Sequence, residues 1–242
     1  LHFLPSEISH NLALKSLKFI HSLGLLNLLI PTQDDDRLHQ TEYHKRVFSN
    51  LKNRVGFAAG LDKNGDYIDC LAALGVGFIE LGTVTPKPQR GNLRPRLFRN
   101  RKERSLLNRL GFNNKGVDYL VKNLKKRKSK IAVGSSIGKN HYTSNEDAYK
   151  DYLLCLEKVY ELSDYIAINI SSPNTNNLRD LSSQDYLVDL LRKIKSKQEN
   201  LSSSYGYRPI FVKISPDEDL NNVKEICRSI IDIGMDGVIC SN

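Results

Sequence analysis

The chain has 242 residues, of which 40% are hydrophobic and 26% charged, with 36 Lys and Arg against 27 Asp and Glu for a formal charge of +9. That balance excludes an intrinsically disordered chain, and no apolar run approaches the roughly eighteen residues of a membrane-crossing helix. The positive charge suits an anionic substrate or an anionic membrane surface; no finger, helix-turn-helix or aromatic platform accompanies it, so nucleic acid is not an expected partner.

In chain order, residues 6–30 crowd Leu12, Leu14, Leu17, Phe19, Ile20 and Leu23 into an otherwise polar stretch. Gly24 is expected to break it into two short helices, with Ser6 or Ser9 capping the first and Lys15 and Lys18 on its wetter side. So much apolar surface on a short hairpin needs a cover, either the main body of the protein or a bilayer interface. His10 by itself reads as an ordinary surface or helix-end histidine. Residues 32–44 form a polar linker, and 47–55 read as a hairpin.

A repeating pattern follows. Apolar strands are expected at 55–59, 78–82, 131–135, 165–170, 210–214 and 237–239, and helices at 67–74, 116–126, 146–160, 186–198 and 220–233. A strand followed by a crossover helix, repeated, implies a parallel sheet, and nearly all-apolar strands imply one covered on both faces. Neither GxGxxG nor GxxxxGK[ST] occurs. Polar residues such as Lys63, Thr83, Asn169 and Lys213 instead collect at strand C-terminal ends, as in a (β/α)8 TIM barrel. Six strand units are visible where such a barrel has eight, so the last units are expected to be absent from this sequence; an open sheet is the other reading.

Between the second and third strands, residues 93–114 form a long arginine-rich connection (Arg94, Arg96, Arg99, Arg101, Arg104, Arg109) ending in Gly111-Phe112-Asn113-Asn114. Connections of this length are often lids or binding loops. The basic run 122–130 reads as a solvated helix end, where cations complement the helix dipole. Cys70, Cys155, Cys227 and Cys240 are widely spaced with no CxxC pair, which points to free thiols and against zinc ligands, a disulfide framework or an iron–sulfur cluster; no metal is expected. Asn169-Ile170-Ser171-Ser172-Pro173-Asn174 leaves a buried strand and turns at a proline, whose preceding residue is held extended. Taken alone it is an Asn/Ser-rich turn; with Lys63, Asn108 and Lys213 on the same rim it is a candidate site.

Several runs, in order, resemble the dihydroorotate dehydrogenases, and among them the quinone-dependent, membrane-associated class 2. They are Ala58-Ala59-Gly60-Leu61-Asp62-Lys63, Glu80-Leu81-Gly82-Thr83-Val84-Thr85-Pro86, Arg94-Pro95-Arg96-Leu97-Phe98-Arg99, Asn108-Arg109-Leu110-Gly111-Phe112-Asn113-Asn114, Ile137-Gly138-Lys139-Asn140 and 169–174. The resemblance covers nearly all of 53–242 and, more loosely, 5–30. It implies an α/β protein: a (β/α)8 barrel over 32–242 that binds FMN at its C-terminal mouth, preceded by an amphipathic helical hairpin over 1–31.

The implied activity is oxidation of dihydroorotate to orotate in pyrimidine biosynthesis, with electrons passing through FMN to a quinone. Ala59, Gly60, Lys63, Thr83, Ser136, Asn169, Lys213 and Ser241 resemble flavin contacts, and Ser136 stands where the family commonly has asparagine. Lys63, Asn108, Arg109, Leu110, Gly111, Phe112, Asn169, Asn174 and Asn242 resemble the substrate site. Ser172 resembles the general base; a class using soluble acceptors would carry cysteine there. Strand parity alone favours Ser171 over Ser172, because Ser171 shares a face with Asn169. His10 and Arg99 match the quinone side. The resemblance further implies a monomer peripherally attached to an anionic membrane surface, at the cytoplasmic face of a bacterial inner membrane or, in a eukaryote, the mitochondrial inner membrane. Another FMN barrel oxidoreductase, acting with a soluble acceptor or on a dihydropyrimidine or dihydrouridine, is the alternative.

Overall fold

A computed structural model describes residues 3–26, 51, 53–171 and 184–240. Six strands, β1 (Gly56–Phe57), β2 (Phe78–Val84), β5 (Ala132–Ile137), β6 (Tyr165–Asn169), β7 (Ile210–Lys213) and β8 (Gly237–Ile239), pair in that order as one parallel sheet. Strands β3 (Leu97–Asn100) and β4 (Ser105–Asn108) form a separate antiparallel hairpin. The helices are α1 (Ser6–Ser22), α2 (Ile68–Ala72), α3 (Val117–Leu124), α4 (Ala148–Val159), α5 (Gln184–Tyr205) and α6 (Leu220–Ile233). The curled parallel sheet with its surrounding helices matches an incomplete (β/α)8 barrel.

The period of two along each strand divides the residues between two layers. Ile79, Leu81, Val133, Ile166, Ile168, Ile210 and Val212 face the helices and are at most 1% exposed. They pack against Leu120, Leu156, Leu187, Leu191 and Ile230 in one continuous core. The opposite face carries Phe78, Tyr165 and Phe211 as a row of rings in edge-on contact, with centroids 6.4 and 5.7 Å apart. Three glycines make room for that row. Gly56, Gly134 and Gly237 lie directly beside Phe78, Tyr165 and Phe211 in the strand register. A β-carbon on Gly134 would sit 2.0 Å from the Tyr165 ring, and one on Gly56 2.4 Å from the Phe78 ring. Gly134 therefore lets Tyr165 lie across β5.

Most expected elements are present with shifted ends. β2 runs on to Val84, α3 stops at Leu124, and α5 continues to Tyr205. β1 pairs over two residues only. α1 ends just before Gly24, whose φ is +74°, and the expected second helix of the hairpin lies mostly outside the described residues. The expected serine cap is corrected. Pro5 occupies the N-cap position without a side-chain cap, Ser6 is already helical, and Ser9 Oγ turns back to donate to the Leu4 carbonyl at 3.3 Å. The hairpin expected at 47–55 also lies largely outside the described residues. All four cysteines are free thiols; Cys70 and Cys155 are buried and Cys240 is exposed.

Candidate active site

At the C-terminal ends of the central strands, three side chains join across three strands. Asn169 Nδ2 on β6 donates to Thr83 Oγ1 on β2 at 2.7 Å, and Thr83 Oγ1 lies 2.9 Å from Ser136 Oγ on β5. All three are buried. The Asn169 carbonyl oxygen Oδ1 accepts from both the backbone N–H and the hydroxyl of Ser171, at 3.1 and 2.9 Å. One amide thus uses its donor and its acceptor sides at once. Tyr152 of α4 donates to the Asn169 backbone carbonyl at 2.9 Å and fixes the strand end from behind.

Lys213 stands beside Asn169 in the β6–β7 register. It is 6% exposed, and among the described residues its ammonium makes no hydrogen bond. Burial lowers its pKa, and the charge of Glu80 opposes that shift. Glu80 is likewise buried; burial raises its pKa, against the Lys213 charge, the Tyr165 hydroxyl at 3.2 Å and the Ala59 backbone. Sequence reasoning missed Glu80 and Tyr165 as site components. The available signal was a lone carboxylate inside the apolar run Phe78-Ile79-Glu80-Leu81.

The second wall comes from the loops. Lys63, after β1, donates to Asn113 Oδ1 at 2.8 Å. Burial, then repulsion from Arg96, push its pKa down to about 8, with Glu7 opposing. Phe112 has φ +51°, a conformation costly for a residue with a β-carbon. Asn114 Nδ2 holds it by donating to the Phe112 carbonyl at 2.7 Å. The Phe112 ring lies where a β-carbon on Gly138 would approach within 2.9 Å, and Thr83 Cγ2 borders the same spot at 3.0 Å. Phe112, Thr83 and Gly138 are therefore neighbours, and Asn113 ties them to Lys63. Gly60 has φ +109°, and among the described residues a β-carbon there would meet nothing within 4 Å.

Other expected site residues sit further out. Asn108 and Arg109 are exposed at the end of the β3–β4 hairpin. The Arg109 guanidinium donates twice to the Pro95 carbonyl, at 2.9 and 3.1 Å, and lies over Phe98. The Leu110 carbonyl accepts from Asn92 N, and that of Gly111 from Gln89 Nε2. Arg99 is half-buried on β3. His10 of α1 lies against the Leu61 backbone; burial first and Lys63 second lower its pKa. α1 is anchored here by Glu7, which meets Arg96 at 2.7 Å and Arg94 at 3.1 Å. Ser172, Asn174, Ser241 and Asn242 lie outside the described residues.

The cluster offers a buried row of hydroxyl, amide and ammonium groups, flanked by a second cation and an aromatic ring. That donor set suits a flat heteroaromatic cofactor with carbonyls on its edge, since among the described residues the Lys213 ammonium has no hydrogen-bond partner and calls for an acceptor. Comparison with known proteins bears on the same point. The family model described as dihydroorotate dehydrogenase matches residues 44–242. The chain is 48% identical over 240 residues to the dihydroorotate dehydrogenase (quinone) of Neisseria meningitidis serogroup A, covering 99% of this chain and 69% of that protein.

The chain belongs to the dihydroorotate dehydrogenase family. The homologous enzymes of Psychrobacter arcticus and Acinetobacter baylyi, both named as quinone-dependent, are 48% and 46% identical, each over 99% of this chain and over 68% and 69% of their own lengths. The crystal structure of Eimeria tenella DHODH in complex with ferulenol superposes with a TM-score of 0.84 at 31% identity, covering 99% of this chain and 67% of that one. The ligand-free form from the same organism gives 0.80 at 34% identity, over 96% and 68%. Within the family the homology is to the quinone-dependent class, and family membership implies FMN as the cofactor.

Proposed function

We infer that the protein oxidises dihydroorotate to orotate in pyrimidine biosynthesis, passing two electrons through FMN to a quinone. The observation that carries this reading is the buried Thr83–Ser136–Asn169 row beside an ammonium, Lys213, that has no hydrogen-bond partner among the described residues. FMN, when bound, supplies the acceptor for the substrate's hydride and the route for its electrons to the quinone.

In this reading Ala59, Gly60 and Thr83 line the flavin's place, and Ser136 extends the Thr83 hydroxyl toward it. Ser241 completes the set. Asn169 borders both rings, and Lys213 presents its charge to the flavin edge that gains electron density, where a fixed cation needs little reorganisation. Lys63 supplies positive potential for the substrate carboxylate and is held by Asn113. Asn108, Asn174 and Asn242 read the substrate's donors and acceptors without adding charge. Arg109, Leu110 and Gly111 carry the loop that seats Phe112 beside the substrate. Ser172 takes the substrate proton through a hydrogen-bonded relay. Ser171 lines the pocket, its own hydroxyl proton committed to Asn169.

The quinone approaches from the α1 side, past His10 and Arg99. Ile8, Leu12, Phe19 and Leu23 are exposed and recur at helical spacing on α1 and its end, opposite the face that buries Leu14. This stripe, with Lys15 beside it, rests on an anionic membrane surface. No described helix is long and apolar enough to cross a membrane. In this reading the protein is a monomer attached peripherally to the cytoplasmic face of a bacterial inner membrane, or to the mitochondrial inner membrane if eukaryotic.

Anaerobic mixing with dihydroorotate tests the reading. The yellow flavin absorbance is expected to bleach and to return on addition of a quinone analogue. A flavin that stays oxidised with dihydroorotate, or returns only with a soluble acceptor, refutes it.

A further inference from the structure

The loop that carries Phe112 holds two consecutive left-handed residues, Gly111 at φ +67° and Phe112 at φ +51°. Glycine takes that conformation freely, but a residue with a β-carbon does so at a cost. Such a turn persists only where its surroundings fix it. Here the surroundings take hold of its carbonyls one after another. Those of Arg109 and Leu110 accept from Asn92, through Nδ2 at 3.0 Å and the backbone N–H at 3.1 Å. That of Gly111 accepts from Gln89 Nε2 at 3.1 Å, and that of Phe112 from Asn114 Nδ2 at 2.7 Å.

Among these donors Gln89 is the one that bolts the loop to the end of β5. Its Oε1 accepts from Asn140 Nδ2 at 2.9 Å and from the His141 N–H at 3.0 Å. Asn140 is itself buried and fixed: its amide also meets Thr85 Oγ1 at 3.0 Å and both the carbonyl and the N–H of Lys87, at 2.9 and 3.0 Å. Gln89 thus spends the acceptor side of its amide on the barrel and the donor side on the loop. The Gly111 carbonyl and the Phe112 N–H belong to one planar peptide unit, so a donor on the former orients the latter. Asn114, by contrast, also bonds Thr85 and the Gly116 N–H at the start of α3, so its role is shared with the fold at large.

We propose that Gln89 is a positioning residue for the substrate: gripped by Asn140 and His141 at the end of β5, it aims its one amide donor at Gly111 and so sets Phe112 beside Gly138 and Thr83. The proposal rests on the reading that Phe112 seats dihydroorotate. Thr83, Ser136 and Asn169, which that reading gives to the flavin, are placed by strand register and bond one another, not Gln89. Gln89 therefore governs affinity for the substrate and leaves the cofactor's hold and potential alone. The relation is specific to the donor. Gln89→Met keeps the length of the side chain and removes both polar ends, whereas Gln89→Glu keeps the acceptor for Asn140 and His141 and removes only the donor to Gly111.

The test compares the FMN-loaded protein with Gln89→Met and Gln89→Glu. Orotate affinity is read from the change it causes in the oxidised flavin spectrum, as a function of pH, alongside KM and kcat for dihydroorotate and the flavin midpoint potential. Gln89→Met is expected to keep FMN and the wild-type potential, and to bind orotate roughly tenfold more weakly, about the size of one hydrogen bond. Its KM should rise in step, with a smaller change in kcat. Gln89→Glu should be at least as weak near neutral pH and recover in acid, where the carboxyl regains a proton and can again donate to Gly111; Gln89→Met should show no such recovery. Wild-type orotate affinity in Gln89→Met overturns the proposal. So does a Gln89→Glu protein that stays weak in acid, which assigns the effect to packing, and so does loss of FMN or a shifted potential in both variants, which makes Gln89 part of the general fold. If the wild-type flavin spectrum does not respond to orotate at all, the reading of the substrate site is what fails.

Discussion

The two walls of the mouth are built on different principles. The sheet wall, with Thr83, Ser136, Asn169 and Lys213, is placed by strand register and buried on every side, so each polar atom is set by its neighbours' positions. The loop wall, with Lys63, Asn113 and the arginine-rich hairpin, hangs on local contacts: one amide, a left-handed Phe112, and ion pairs from α1. The sheet wall is held by register; the loop wall depends on contacts that reach as far as α1. A rigid scaffold that carries its binding groups on loops is a common division of labour.

The sharpest test of that contrast is Asn169→Ala. It removes the amide that links the buried Thr83 and Ser171 hydroxyls and that we place at the border of both rings. Flavin reduction by dihydroorotate is expected to fall by about 100-fold or more, measured by stopped flow, with stability lower by about 2 kcal/mol. An equally large loss from a hairpin substitution such as Arg109→Ala would break the comparison. Next, Gly134→Val should push the Tyr165 ring off β5 and cost about 1–3 kcal/mol in denaturant unfolding, as overpacked cores do.

On the loop wall, Lys63 sets a pH limit. Its pKa, down at about 8, keeps it cationic below that pH and neutral above it. The KM for the anionic substrate should therefore rise roughly tenfold per pH unit above 8, and Lys63→Met should flatten that dependence while raising KM throughout. A smaller effect is expected at Glu7. The Arg96 hydrogen bond chiefly lowers its pKa from 4.5. A depressed carboxylate stabilises the fold above its unfolded value and loses that contribution as the pH falls through the native one. Glu7→Gln should thus melt lower than the wild type near neutral pH and converge with it in acid. Smallest of all, Lys158→Ala breaks a pair with the exposed Asp118 and should change stability by under about 1 kcal/mol; a larger loss would mean that the outer helices contribute more rigidity than the sheet contrast assumes.

The difference between the walls also explains what was legible in the sequence. Nearly all-apolar strands with polar tips announce the parallel sheet and the grouping of Thr83, Asn169 and Lys213, because burial on both faces is written directly in residue type. The arginine-rich connection of 93–114 read as an irregular loop, yet Leu97–Asn100 and Ser105–Asn108 pair as a hairpin with Arg104 at φ +50° in its turn. No glycine or asparagine marks that left-handed position, so the usual turn signal is missing. Asn113 as the partner of Lys63 depends on a contact fifty residues apart in sequence, which no local pattern reports. Tyr165 looked like one more apolar strand residue. Its hydroxyl matters only because Gly134 is empty, and a pairing between a ring on one strand and a gap on the next is invisible until register is known.

That pairing has a bearing on how the sheet assembles. Three rings each sit against a glycine on the adjacent strand, so the face works like a key with matching notches. A parallel strand displaced by two residues would still present its apolar side correctly, and hydrophobic patterning alone would tolerate the slip. Here the slip would drive Tyr165 against Ala132 or Ser136 instead of Gly134, with a methyl or hydroxymethyl group where the ring must lie. The notches thus penalise the misalignment that alternation leaves permitted, and they bring Asn169 level with Lys213 by the time the strands have closed.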